Sequence, residues 1–190
     1  MENKKKIKFI VYTALFIALG IILNFIEIPY ILVPWLKLDI SEVITLLATT
    51  FSLFSGIIVA FAKGIFMVIT GTTTGFIGEI TLIIGSLTVV LIYYLSKKVM
   101  KEIPSLIIVS LTFTIMMVLL NYFYMTPFYF GNVSWQTLST STQEITLFNT
   151  TISVSYLSYI LIMYVPFNLI KMLLDCTIYY FINKKLQKVL

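Results

Sequence analysis

The 190-residue chain is 59% hydrophobic and 11% charged, with a net charge of +5 and a mean hydropathy of +1.02. Soluble domains carry about 45–50% apolar and about 25% charged residues, and disordered chains are more polar still, so this composition excludes both. It specifies an integral membrane protein, read as a single domain over residues 1–190, with no length left for a soluble catalytic module.

The basic charge sits where a membrane protein needs it. All 13 basic residues are lysine, and ten of them fall in three clusters: Lys4, Lys5, Lys6 and Lys8; Lys97, Lys98 and Lys101; Lys184, Lys185 and Lys188. Each cluster flanks an apolar stretch, which is the positive-inside pattern, and little basic surface remains for nucleic acid. There is no histidine, so the commonest transition-metal ligand and general base is missing. The one cysteine, Cys176, lies in an apolar run; it reads as a small buried residue, since a thiolate metal site needs several. No metal or cofactor is expected. The phosphate-binding G-x-x-x-x-G-K-[ST] loop and the H-E-x-x-H and G-x-S-x-G motifs are absent from the sequence. Neither ATP hydrolysis by that route nor an enzyme is expected.

Hydrophobic runs of about 20 residues cross a bilayer as helices. The runs predict an all-α membrane protein with six transmembrane helices at approximately 7–26, 40–54, 56–69, 76–95, 105–124 and 152–182. The first run follows a basic start like that of a signal peptide, but lacks an A-x-A cleavage site and reads as a retained helix. The second and third form one apolar region broken near Ser55-Gly56. The last exceeds one span, so its start reads as an exterior segment and Pro166 as a kink site. Six crossings return the chain to its starting side, which places all three lysine clusters and both termini in the cytoplasm.

Three unusual connections then share the outer face. Residues 27–39 contain Pro29, Pro34 and Trp35; the second is Gly71-Thr72-Thr73-Thr74-Gly75; the third, about 125–151, includes Gly131-Asn132-Val133-Ser134-Trp135. Loops this long are usually functional, and here they read as a lid over an outward-facing pocket. The two matched halves of an inverted-repeat transporter are not evident.

Polar side chains at membrane depth are costly and mark functional sites. Asn168, Lys171 and Asp175 share one helix face. A central charge costs about 2.5–3.5 kcal/mol, so Lys171 does not face lipid. Asn168 and Lys171 line a polar cavity, or Lys171 pairs with Asp175 four residues on. Asn121 lines the same cavity or bonds between helices. Lys63 is expected to snorkel toward an interface, and Glu79 sits one turn below the threonine loop. Asp39, Ser41 and Glu42 open the second helix, where Asp39 reads equally as a cap. Trp35, Tyr122, Tyr124, Phe128, Tyr129, Phe130 and Trp135 form an interfacial belt or stack on a flat ligand. Ala14 and Ala18, four apart, allow another helix to approach closely.

Three stretches carry a family resemblance: Leu36-Lys37-Leu38-Asp39-Ile40-Ser41-Glu42-Val43; Leu120-Asn121-Tyr122 with Pro127 and Tyr129; and Pro166-Phe167-Asn168-Leu169-Ile170-Lys171. With these the chain resembles the substrate-binding S components of energy-coupling factor (ECF) vitamin transporters, most closely the riboflavin-specific members. The resemblance implies a six-helix bundle in the bacterial cell membrane that binds riboflavin near the outer face. It implies association with a transmembrane T component, through Ala14 and Ala18, and with two cytoplasmic ATPases. By the same resemblance Asn168 and Lys171 hydrogen-bond the isoalloxazine edge, and Asn132 reaches that ring from the outer loop. Asp39, Thr73 and Glu79 serve the ribityl hydroxyls or support the site, and Trp135 and Tyr122 form its apolar wall. An S component for another vitamin, and a self-sufficient secondary transporter or channel, stand as alternatives.

Overall fold

The computed structural model of the protein describes residues 2–30, 33–70, 76–147 and 150–189. Its long helices are α1 (Glu2–Phe25), α3 (Leu53–Thr70), α4 (Ile77–Lys97), α5 (Glu102–Leu120) and α8 (Tyr156–Val189), with a shorter α2 (Glu42–Phe51) between α1 and α3. Helix α5 runs on through one π-helical turn, Asn121–Met125, into α6 (Thr126–Tyr129), and α7 (Trp135–Ser139) follows.

The all-α expectation needs correction. Two antiparallel hairpins occupy the first and third of the three unusual connections: β1 (Ile28–Tyr30) with β2 (Val33–Leu38), and β3 (Thr142–Leu147) with β4 (Thr150–Ser155). In the second hairpin burial alternates, with Thr142 and Glu144 exposed, Gln143 half-buried and Ile145 buried; this is the period of a half-buried strand. The last helix consequently starts at Tyr156, not 152. The preceding residues are strand, and Ser155 Oγ accepts from the Ser158 amide (3.3 Å) as an N-cap.

The break between α2 and α3 comes at Ser52, whose backbone is extended (φ −164°, ψ 139°). It falls a turn earlier than the Ser55-Gly56 position expected from sequence. Gly56 serves packing instead: a Cβ there would lie 2.3 Å from Thr49 Oγ1 and 3.1 Å from Thr49 Cα. Glycine therefore lets the first turn of α3 close against α2.

Five helical stretches are long and apolar enough to cross a membrane: Asn3–Phe25, Leu53–Thr70, Ile77–Lys97, Glu102–Tyr129 and Tyr156–Gln187. Helix α2, at 10 residues, is shorter, yet residues Glu42 through Thr49 are all buried. It packs against α1, α3, α4 and α8. Val43, Leu46 and Leu47 form the main core with Val89, Tyr93, Val109, Phe113, Met172 and Tyr179. A helix buried on nearly every side is a central helix.

The helix ends that carry lysine clusters meet at one end of the bundle. The rings of Phe9 and Phe51 stack at 6.2 Å. Thr50 bonds Tyr179 (2.8 Å), Tyr179 bonds Tyr93 (2.5 Å), and Tyr93 donates to Glu102 (2.8 Å). Lys97 pairs with Glu102 at 2.6 Å. Both hairpins therefore lie at the opposite end. A second core of Leu138, Ile145, Tyr156, Tyr159, Ile160, Met163 and Tyr164 fastens α7 and the β3–β4 hairpin to α8 there.

Candidate functional site

At the hairpin end, the chain leaves β2 through Asp39 and turns into α2. Asp39 Oδ1 accepts from the Ser41 amide (3.0 Å) and the Ser41 hydroxyl (2.6 Å), a local side-chain turn that starts the helix. Asp39 Oδ2 accepts from Lys171 Nζ of α8 at 2.5 Å, and the Asp39 carbonyl accepts from the same ammonium at 2.8 Å. Burial pushes the Asp39 carboxyl up, but the Lys171 ammonium outweighs it and holds the group below its ordinary value. Asp39 thus opens α2 and also neutralises the lysine. The i, i+4 partner Asp175 stands farther off, at 4.0 Å.

Asn168 is buried one turn before Lys171. Its Nδ2 donates to the Tyr164 carbonyl at 2.8 Å. Its Oδ1 has no hydrogen-bond partner among the described residues.

Lys63 does not snorkel. It is 0% exposed and pairs with Glu42 at 2.9 Å, and also donates to Ser41 Oγ at 3.1 Å. Glu42 Oε1 accepts a second bond from Ser86 Oγ at 2.6 Å. Room for the lysine stem comes from α1, where a Cβ on Gly20 would sit 3.3 Å from Lys63 Cδ. A counter-ion 21 residues away removes the reason to reach for water.

These groups surround a cavity of about 190 Å³. Its polar lining is Lys37, Asp39, Glu42, Thr81, Asn168 and Lys171, and its apolar lining includes Leu82, Phe113, Met117, Met125 and Phe167. Each lysine beside it is matched by a carboxylate: Lys171 by Asp39, Lys63 by Glu42, and Lys37 by Glu27 at 2.5 Å. Among the described residues, two of those lining the cavity hold a buried oxygen without a hydrogen-bond partner, Asn168 (Oδ1) and Glu42 (Oε2). Chemically, the lining offers apolar contacts, lysines matched by carboxylates, and oxygens able to accept hydrogen bonds.

Of the residues singled out from sequence, Asn168, Lys171 and Asp39 converge on this cavity. Glu79 is buried on the first turn of α4, next to the cavity residue Gly78. Asn121 is buried in the π-helical turn and donates to the Met117 carbonyl of its own helix at 2.8 Å. Asn132, exposed at φ 60°, lines a neighbouring groove of about 720 Å³ between α4 and α5, which shares Thr81 with the cavity. Tyr122 and Trp135 pack on each other at 6.1 Å, and Tyr122 on Tyr156 at 5.0 Å, as an aromatic cluster under α7. Thr73 lies outside the described residues. Ala14 and Ala18 are exposed on α1, the spanning helix with the smallest buried share, 17%. Sequence reasoning passed over Glu42, Thr81, Phe113 and Met117 as cavity residues. The legible signal was Glu42 and Lys63, two opposite charges in separate apolar runs.

A family model described as the substrate-specific component of ECF transporters matches residues 8–183. The chain belongs to this family. A solved structure of the S component of a bacterial ECF transporter matches with 26% identity and a TM-score of 0.74, covering 97% of this chain and 98% of that one. Comparison with curated proteins gives no match. As an S component the chain is a membrane-embedded transport subunit that works with a T component and ATPases, and its cavity at the hairpin end is the candidate site for the transported molecule.

Proposed function

We propose that this S component binds riboflavin in the cavity at the hairpin end, for uptake driven by a T component and two cytoplasmic ATPases. The observation that carries the reading is the pairing of free acceptors and neutralised lysines with an apolar lining. Lys171 spends two N–H groups on Asp39 and keeps a third for a flavin carbonyl. Asn168 Oδ1, free of protein donors, accepts the ring imide N–H between the flavin carbonyls. Phe113, Met117, Met125 and Phe167 contact the ring faces. Vitamins that carry carboxylates would need an unpaired cation, and the lysines beside this cavity are matched.

The lysine-bearing end faces the cytoplasm and the hairpin end faces out, with α2 completing a six-helix bundle. Ligand pockets typically enclose about 300–1,000 Å³, so the 190 Å³ cavity expands to admit a flavin. The β1–β2 hairpin leads directly into Asp39 and is the segment placed to move. Ala14 and Ala18 present a small-residue surface to the T component.

Flavin fluorescence quenching by the purified protein tests the reading: saturable quenching by riboflavin supports it. A second reading, a vitamin cation such as thiamine, draws on the carboxylates Asp39 and Glu42 at the cavity. Competition of thiamine, folate, biotin, pantothenate and pyridoxine against riboflavin separates the two.

A further inference from the structure

Glu42 opens α2 and is 2% exposed. Its two carboxylate oxygens differ in their surroundings. Oε1 is held by Lys63 of α3 (2.9 Å) and Ser86 of α4 (2.6 Å). Lys63 is in turn fixed by Ser41 Oγ (3.1 Å), with its stem against Gly20 of α1. Three helices thus fix the orientation of this carboxylate. Oε2 has no hydrogen-bond partner among the described residues, and Glu42 lines the cavity. Folded proteins leave few buried polar atoms unpaired, and each one calls for an explanation.

We propose that Glu42 is a ligand-binding residue of this S component, its Oε2 accepting a hydrogen bond from a ribityl hydroxyl. The inference rests on the riboflavin reading above. The cavity presents two free acceptors, Asn168 Oδ1 on α8 and Glu42 Oε2 on α2. Asn168 has its orientation fixed, because Nδ2 faces the Tyr164 carbonyl and an oxygen there would repel it. The flavin ring offers a single N–H, in the imide between its carbonyls. Asn168 takes that donor beside Lys171, whose free N–H meets a flanking carbonyl. The remaining ligand donors are hydroxyls, and one of them meets Glu42. Both oxygens of Asp39 already accept from Ser41 and Lys171, so Asp39 acts as a positioning residue for Lys171.

The test compares two flavins that share a ring. Riboflavin carries the ribityl chain, whereas lumiflavin has a methyl group in its place. The variant is Glu42→Leu combined with Lys63→Met, since replacing both partners of a buried ion pair by apolar residues is tolerated far better than removing one. Fluorescence-quenching titrations with both flavins are run beside a thermal melt in the same detergent. The expected result is a loss of riboflavin affinity of about tenfold or more, as for a lost hydrogen bond to a charged group, with lumiflavin affinity unchanged. Equal losses for both flavins would overturn the hydroxyl contact, as would no loss for either. If the double variant does not fold, Glu42→Met combined with Lys63→Leu, which also removes both partners of the pair, is read by the same criterion. Wild-type protein that quenches neither flavin removes the riboflavin reading, and this inference with it.

Discussion

Lys171 of α8 and Asp39 at the end of β2, 132 positions apart in the chain, meet as an ion pair of 2.5 Å at the wall of the cavity. The pair ties the end of the β1–β2 hairpin to the last helix. It also holds the lysine side chain in the lining of the cavity. Binding and fold are therefore coupled through one side chain, and the two are separated by choice of substitution.

Lys171→Ala is expected to weaken riboflavin binding about tenfold or more, the scale for losing a charge-assisted hydrogen bond. The variant is expected to fold but to melt lower, because Asp39 loses its cation while keeping its bonds to Ser41. Fluorescence quenching gives the affinity, and the gel-filtration profile reports the fold. Unchanged affinity would remove Lys171 from the site.

Asp39→Asn keeps the turn into α2 and removes the counter-charge of Lys171. Because the folded value of Asp39 lies below the ordinary 3.8, its stabilising contribution is fully present above that pH. It is lost as pH falls through the lower folded value. Thermal melts of the wild type should drop on acidification below about 3.8. The Asp39→Asn protein should start lower and lose less over the same range. Parallel curves for the two proteins would show that this carboxylate does not carry the acid sensitivity.

Lys63→Met leaves Glu42 buried without its cation, a change that costs about 3–5 kcal/mol when one partner of a buried pair is removed. Adding Glu42→Leu should restore much of the lost melting temperature. A double variant as unstable as the single would mean that the pair is not the source of the loss.

Gly56→Ala forces a methyl group against Thr49, whose Oγ1 would lie at 2.3 Å. Overpacking of this kind costs about 1–3 kcal/mol. Rotating the threonine side chain gives little relief, because the Thr49 backbone itself would stand 3.1 Å from the new methyl. The prediction is a lower melting temperature, partly rescued by Thr49→Ala. A wild-type melting temperature for Gly56→Ala would show that α2 and α3 separate freely.

Ala14→Trp and Ala18→Trp each place a large ring on the exposed face of α1. Co-purification with a T component should fall sharply while riboflavin quenching by the isolated subunit stays unchanged. Loss of quenching instead would place α1 in the ligand site.

Much of this was legible in the chain. Long apolar runs gave the spanning helices, because hydrophobic length is a local property. Asn168 and Lys171 stood out because polar groups are rare at such depth, and the helix period placed them together. What stayed hidden depended on partners distant in sequence. Lys63 read as a snorkelling residue because its partner Glu42 lies on another helix, and the space for it is made by Gly20 on a third. The pairing of Lys171 with Asp39, ahead of its helical neighbour Asp175, needed the hairpin to be in place. The hairpins themselves were missed because short polar strands beside membrane helices carry little hydrophobic signal. Tyr122 packs on Trp135 and on Tyr156, pairings that aromatic composition does not encode.

The most direct test of the central claim is a riboflavin fluorescence-quenching titration of the detergent-purified protein, preceded by its absorbance spectrum. The account predicts saturable, stoichiometric quenching, and a flavin absorption band wherever the vitamin is retained through purification. A colourless protein that leaves riboflavin fluorescence unchanged would contradict it.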